Sequence, residues 1–150
     1  PTNELAPLAW GEIGNCALQL SAFDAATNAY AQVFNSPVAG ISARSQAQIG
    51  FGIALEKKAA LETGGERAGL LELARDNYLD VFDTVFGKNL RANEQADPFW
   101  VKKAGLQALP LVESFGTDSP ELFINKMEEL LPQLTGLLES KRTGLTAGKN

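Results

Sequence analysis

A chain of 150 residues, 45% apolar and 21% charged, has the size and composition of one ordinary globular domain, neither disordered nor fibrous. Its 13 basic and 18 acidic residues leave a formal net charge of −5, which argues against a nucleic-acid partner, because phosphate binding needs clustered Lys and Arg. The chain has no histidine, so a Ser-His-Asp triad, a Cys-His pair, an HExxH zinc site and an imidazole general base are all excluded.

The single cysteine, Cys16, rules out an intrachain disulfide and a cysteine metal cage, and its apolar-periodic setting predicts a small buried hydrophobe. No run approaches the ~20 apolar residues that span a bilayer, so no membrane insertion is expected within this chain. The segment starting at Pro1 lacks the layout of a signal peptide and reads as a mature or excised piece, which leaves the compartment open between cytoplasm and periplasm.

The periodicity is helical throughout. Leu8, Ile13, Ala17 and Leu20 place a first helix over about 5–20. Ser21 with Asp24 resembles a capping box opening a second helix, which Asn35-Ser36-Pro37 ends after Phe34. Ser42 reads as the N-cap of a third helix reaching about Glu62, with Thr63-Gly64-Gly65 as its glycine terminus. A fourth helix runs from about Glu66 to Gly87. Asp97-Pro98 opens a fifth, ending near Gly116 and kinked at Pro110. Ser119-Pro120-Glu121 opens a sixth, ending near Ser140 with a kink or break at Pro132. Residues 141–150 read as a frayed tail behind one helical domain of residues 1–140. No alternating run supports a strand.

Internal repetition sets the fold class. Three odd-numbered helices share a phrase: Ile13-Gly14-x-x-Ala17-Leu18, Ile49-Gly50-x-x-Ile53-Ala54 and Ala104-Gly105-x-x-Ala108-Leu109. Two even-numbered helices share Ala26-x-x-x-Tyr30-x-x-Val33-Phe34 and Ala74-x-x-x-Tyr78-x-x-Val81-Phe82. A mid-helix glycine costs about 1 kcal/mol against alanine, so three equivalent ones point to close helix approach, with Ala26 and Ala74 opposite them. Trp10-x-x-Ile13-Gly14, Ala26-x-x-x-Tyr30 and Pro37 together resemble the tetratricopeptide-repeat pattern, and Gly14 to Gly50 is a step of 36 residues against the family's ~34. The second repeat matches less closely, and the third only at Ala104-Gly105 and Phe123-x-x-x-Met127.

The resemblance implies an all-α stack of about three antiparallel helix hairpins. It also implies a non-catalytic module that binds a protein, peptide or helix in a concave groove, in a multi-part protein or complex of bacterial type. Carried over position by position, the groove residues are Asn15 and Gln19, then Phe51 and Leu55, then Lys102 and Leu106. The family's carboxylate clamp is not matched: Gly11 stands where a Lys belongs and Phe51 where an Asn belongs. No cofactor and no metal is expected.

Two other readings stand beside it. The helices can form an oligomerisation or spacer domain whose exposed end pairs with another copy. Glu72, Asp76, Asp80 and Asp83 share a face of the fourth helix and would serve a carboxylate-only enzyme if buried together; as the wet side of an amphipathic helix they do nothing. Gly64 to Gly69 lacks the Lys-Ser/Thr of a phosphate loop, Gly50-Phe51-Gly52 lacks the third glycine of a dinucleotide fingerprint, and the Trp and Phe residues read as core.

Overall fold

The computed structural model describes residues 3–115 and 119–148. Among them the elements are α1 (Ala6–Gln19), α2 (Phe23–Phe34), α3 (Ile41–Ala59), α4 (Gly64–Phe82) with a 3-10 turn over Asp83–Phe86, α5 (Pro98–Phe115), α6 (Pro120–Leu130), a 3-10 turn over Pro132–Leu134, and α7 (Thr135–Ala147). The described residues contain no strand, and the fold is an all-helical hairpin stack.

Several termini form as local chemistry predicts. The Asp97 carboxylate accepts the Phe99 N–H at 3.0 Å, with Pro98 at the first helical position of α5. Ser119 accepts the Glu121 N–H at 3.3 Å and opens α6 in the same way. Gly87, at φ +83°, takes the left-handed conformation that closes the turn after α4. The end expected near Gly116 lies outside the described residues.

Others are decided by the neighbouring helix. Ser21 does not cap α2: it adopts φ +59°, letting the Ala22 N–H reach back to the Ala17 carbonyl at 2.8 Å and reverse the chain within three residues. Ser42 does not cap α3 either. Gly40 precedes that helix, and the Ser42 hydroxyl donates to Asp97 at 2.6 Å. Gly64, at φ +60°, begins α4 rather than ending α3. Pro132 breaks the expected sixth helix into α6 and α7.

The chain divides into two compact units, Pro1–Ala108 and Leu109–Asn150. In the first unit α1 packs on α2, α2 on α3 and α3 on α4, and α1 also meets α3. Its interior is built from small residues with a few large ones: Ala26, Ala54, Ala59 and Ala74 are fully buried around Tyr30, Val33, Tyr78, Val81 and Phe82. Lys58 of α3 donates to Asp24 of α2 at 2.6 Å, and this bond holds its ammonium pKa above the usual lysine range.

Residues 87–97 are tied to the α2–α3 turn by two arginines. Buried Arg44 forms a bidentate pair with Glu94, 2.7 Å on each arm, and donates to the Ala39 carbonyl at 2.8 Å. Arg91 donates to the carbonyls of Ser36, Pro37 and Ala39 at 2.6, 2.9 and 3.0 Å, and its own N–H reaches Glu94 at 2.8 Å. Asn89 and Asn93 supply the two left-handed turns that segment needs, at φ +60° and +63°.

In the second unit Phe123, Ile124 and Met127 of α6 are buried, with Leu131, Leu134 and Leu138. Residues 141–147, expected as a frayed tail, are helical; Asn150 lies outside the described residues. Arg142 supplies the reason, pairing with Glu128 at 2.8 Å and Glu139 at 2.6 Å and donating to Asn125 at 2.8 Å. Thr143 and Thr146 satisfy their hydroxyls on carbonyls one turn back, so they do not compete with the helix.

Candidate functional site

Two glycines of the repeated phrase, Gly14 and Gly50, make room for a tyrosine ring rather than for alanines. A Cβ built on Gly14 of α1 would lie 2.6 Å from the ring of Tyr30, and one on Gly50 of α3 would also lie 2.6 Å from it. Tyr30, on α2, is thus held between the backbones of two helices and is 2% exposed. Its hydroxyl donates to Asn15 at 2.9 Å. The second hairpin repeats the device two residues further along: Tyr78 lies on Gly52, 2.5 Å from a Cβ there, and its hydroxyl donates to Glu56 at 2.6 Å.

Burial raises the pKa of Tyr30, with the nearby Glu12 carboxylate adding to it. Burial raises that of Tyr78 much further, helped by the hydrogen bond to Glu56 and its charge. A folded pKa above the unfolded one near 10 means stability that is complete below pH 10 and lost as pH rises beyond it. The chain has two tyrosines, so phenolate absorbance reports these alone. In an alkaline titration at 295 nm, neither is expected to be half-ionised at pH 10, and the Tyr78 signal rises only with unfolding seen by circular dichroism. A normal titration of Tyr78 in the folded protein would contradict its placement.

Above the Tyr30–Asn15 pair lies a cavity of about 60 Å³ between α1 and α3. Pro7, Leu8 and Gly11 of α1 form one wall and Ala43, Gln46 and Ala47 of α3 the other, with Val33 and Tyr30 at the base. Among the described residues, Glu12 is the only carboxylate lining it. Gly11 leaves the wall low, since a Cβ there would meet nothing within 4 Å.

No protein-family model matches this chain, and no curated protein or solved structure matches it either.

Of the six groove positions carried over by resemblance, only Asn15 lies at this cavity. Gln19 is exposed further along α1. Phe51 is half-buried and meets Phe34 edge to face, ring centroids 5.4 Å apart. Leu55, 5% exposed, is core. Lys102 and Leu106 are half-buried on α5 and do not line the cavity. Gly11, singled out for lacking a clamp lysine, proves to be a wall of the cavity, while Tyr30 and Gln46 carry no sequence signal for it.

The four carboxylates of α4 and the 3-10 turn after it are not a buried cluster. Glu72, Asp76 and Asp80 are exposed and Asp83 half-exposed. Asp76 pairs with Arg75 at 2.9 Å, and Asp80 accepts from Gln48 at 3.1 Å. Asp80 is exposed overall, yet the side of its carboxylate covered by neighbouring groups is desolvated, which raises its pKa against the pull of that bond, with Asp76 and Asp83 adding like charge. No group of three or more metal-ligating side chains occurs among the described residues.

Cys16 is exposed rather than buried. Trp10, Phe86 and Phe99, expected in the core, are 40%, 49% and 62% exposed. Helical spacing alone cannot say which face of a helix is covered.

Proposed function

We propose that the helical stack is a non-catalytic protein-binding module and that its ligand-bearing surface is the cavity between α1 and α3. One observation carries the reading: a rigid floor, Tyr30 fixed between Gly14 and Gly50 and bonded to Asn15, beneath a low apolar wall at Gly11. At about 60 Å³ the cavity suits one inserted side chain, whereas small-molecule sites run to about 300–1,000 Å³. Gln46 and Asn15 offer amides to a peptide backbone, and Glu12 favours a basic residue beside the inserted one.

Gly11→Trp fills the cavity mouth where there is room for a side chain, and Gly69→Trp places the same bulk on α4, where a Cβ also meets nothing. In pull-downs from source-cell lysate read by mass spectrometry, a partner held by the wild type and Gly69→Trp is expected to be lost with Gly11→Trp. A partner held equally by all three would move the binding surface elsewhere.

A further inference from the structure

The outer face of α1 carries a second surface, distinct from the cavity. Leu5, Ala9, Ile13, Cys16 and Leu20 follow one another at steps of four, four, three and four, so they form one stripe along the whole helix. All five are exposed, Leu5 by 68%, Ile13 by 47% and Leu20 by 80%. Pro7, Gly14 and Ala17, on the opposite side, are buried. Within α1 the one ionisable side chain besides the thiol is Glu12, so the helix is apolar nearly all round, the character of a helix covered on both sides. An exposed apolar stripe of this continuity marks an interaction surface.

Charge selects the occupant. Glu12 borders the stripe on one edge, exposed Glu4 precedes it, and α1 has no basic residue. In an antiparallel two-fold pairing that covers the full stripe, a second copy would set Glu12 beside its own counterpart, because Glu12 lies at the middle of the stripe, and that like-charge contact opposes association. We propose that the stripe docks an amphipathic helix of a different protein, its apolar face on Leu5, Ala9, Ile13, Cys16 and Leu20 and its Lys or Arg residues along the Glu12 edge. Glu12 thus borders both surfaces, but the apolar residues of the stripe are not those of the cavity, and this docking stands or falls independently of the cavity reading.

The test uses two synthetic peptides of about 18 residues, long enough to form a helix, with one Leu/Ala stripe and edges of either Lys or Glu. Titrated against the full chain and read by calorimetry, with tryptophan fluorescence as a second readout, the Lys-edged peptide is expected to bind about tenfold more tightly than the Glu-edged one. The charge-neutral variant Leu5→Ser/Ile13→Ser/Leu20→Ser is expected to lose at least about tenfold in that affinity, and Glu4→Lys/Glu12→Lys to reverse the preference between the peptides. Exposed substitutions of this kind leave the fold intact, which circular dichroism checks. Equal affinity for the two peptides, binding retained by the serine variant, or no binding of either overturns the proposal. A wild-type dimer in sedimentation equilibrium that the serine variant abolishes also overturns it and makes a second copy the occupant.

Discussion

Gly14→Ala is expected to destabilise the protein while Gly11→Ala, less than one turn away on the same helix, stabilises it. Both exchanges gain the helix propensity that alanine has over glycine, about 0.5–1 kcal/mol. At Gly11 nothing opposes the gain, because the new methyl meets no atom within 4 Å. At Gly14 the methyl would lie 2.6 Å from the Tyr30 ring, closer than carbon atoms approach, so the ring must move. It cannot retreat, since Gly50 presses on it equally closely and Val33 and Ala26 are buried beside it in the same core. Overpacking of this kind costs about 1–3 kcal/mol, leaving a net loss on the order of 1–2 kcal/mol. Thermal and urea denaturation of the two variants measure the difference in sign. In a Tyr30→Leu background the penalty at Gly14 should largely disappear, a coupling that a double-mutant cycle isolates. Equal stability of Gly14→Ala and Gly11→Ala would remove the tyrosine wedge from the account of this fold.

Arg44→Met is expected to lower stability by about 2–4 kcal/mol, chiefly because it leaves the Glu94 carboxylate without its cation. The Arg44 side chain is 8% exposed and that of Glu94 18%, so water replaces the lost partner poorly. Arg91 stays close and limits the loss, through its N–H to Glu94 and its three carbonyl contacts. The double variant Arg44→Met/Glu94→Leu should recover much of the loss, because apolar replacement of both partners removes the stranded charge as well. Trypsin offers a second readout: cleavage after Lys88 should quicken in Arg44→Met as residues 87–97 come away from the α2–α3 turn. If stability and cleavage are both unchanged, the arginines do not hold that segment.

The same pair gives the protein an acid limit. The Arg44 hydrogen bond, with smaller help from the Arg91 N–H and the two guanidinium charges, holds the Glu94 pKa down to about 2 from an ordinary 4.5. A carboxylate with a depressed folded pKa contributes stability that is complete above its unfolded pKa and lost as pH falls towards the folded one. The wild type should therefore weaken between about pH 4.5 and 2, and Glu94→Gln, less stable at neutral pH, should show a shallower decline across that window.

Local features are the ones legible in the residues themselves. Helical periodicity, Pro-led starts at Asp97 and Ser119, and the left-handed stop at Gly87 depend on residues within one turn, and the structure has each of them at the expected place. The all-α hairpin stack follows from such signals and from short connections that make successive helices neighbours. The repeated glycines are legible as points of close approach, but not what approaches them, because Tyr30 reaches Gly14 and Gly50 only once three helices have set their register.

Whatever depends on which face meets which was settled by the packing of the helices. Ser21 and Ser42 carry the right chemistry to cap a helix, yet a tight reversal claims one and Asp97 the other. Of the residues carried over to a groove, Leu55 is buried and Phe51 is half-buried against the core; the apolar setting of Cys16 predicts a buried side chain, and it faces outward with Ile13 and Leu20. A helix that is apolar on most of its circumference gains nearly as much by burying one side as another, so the shape of its neighbours makes the choice. On α1 that choice fell to Gly14 and Ala17, the small residues that let Tyr30 and α2 come close.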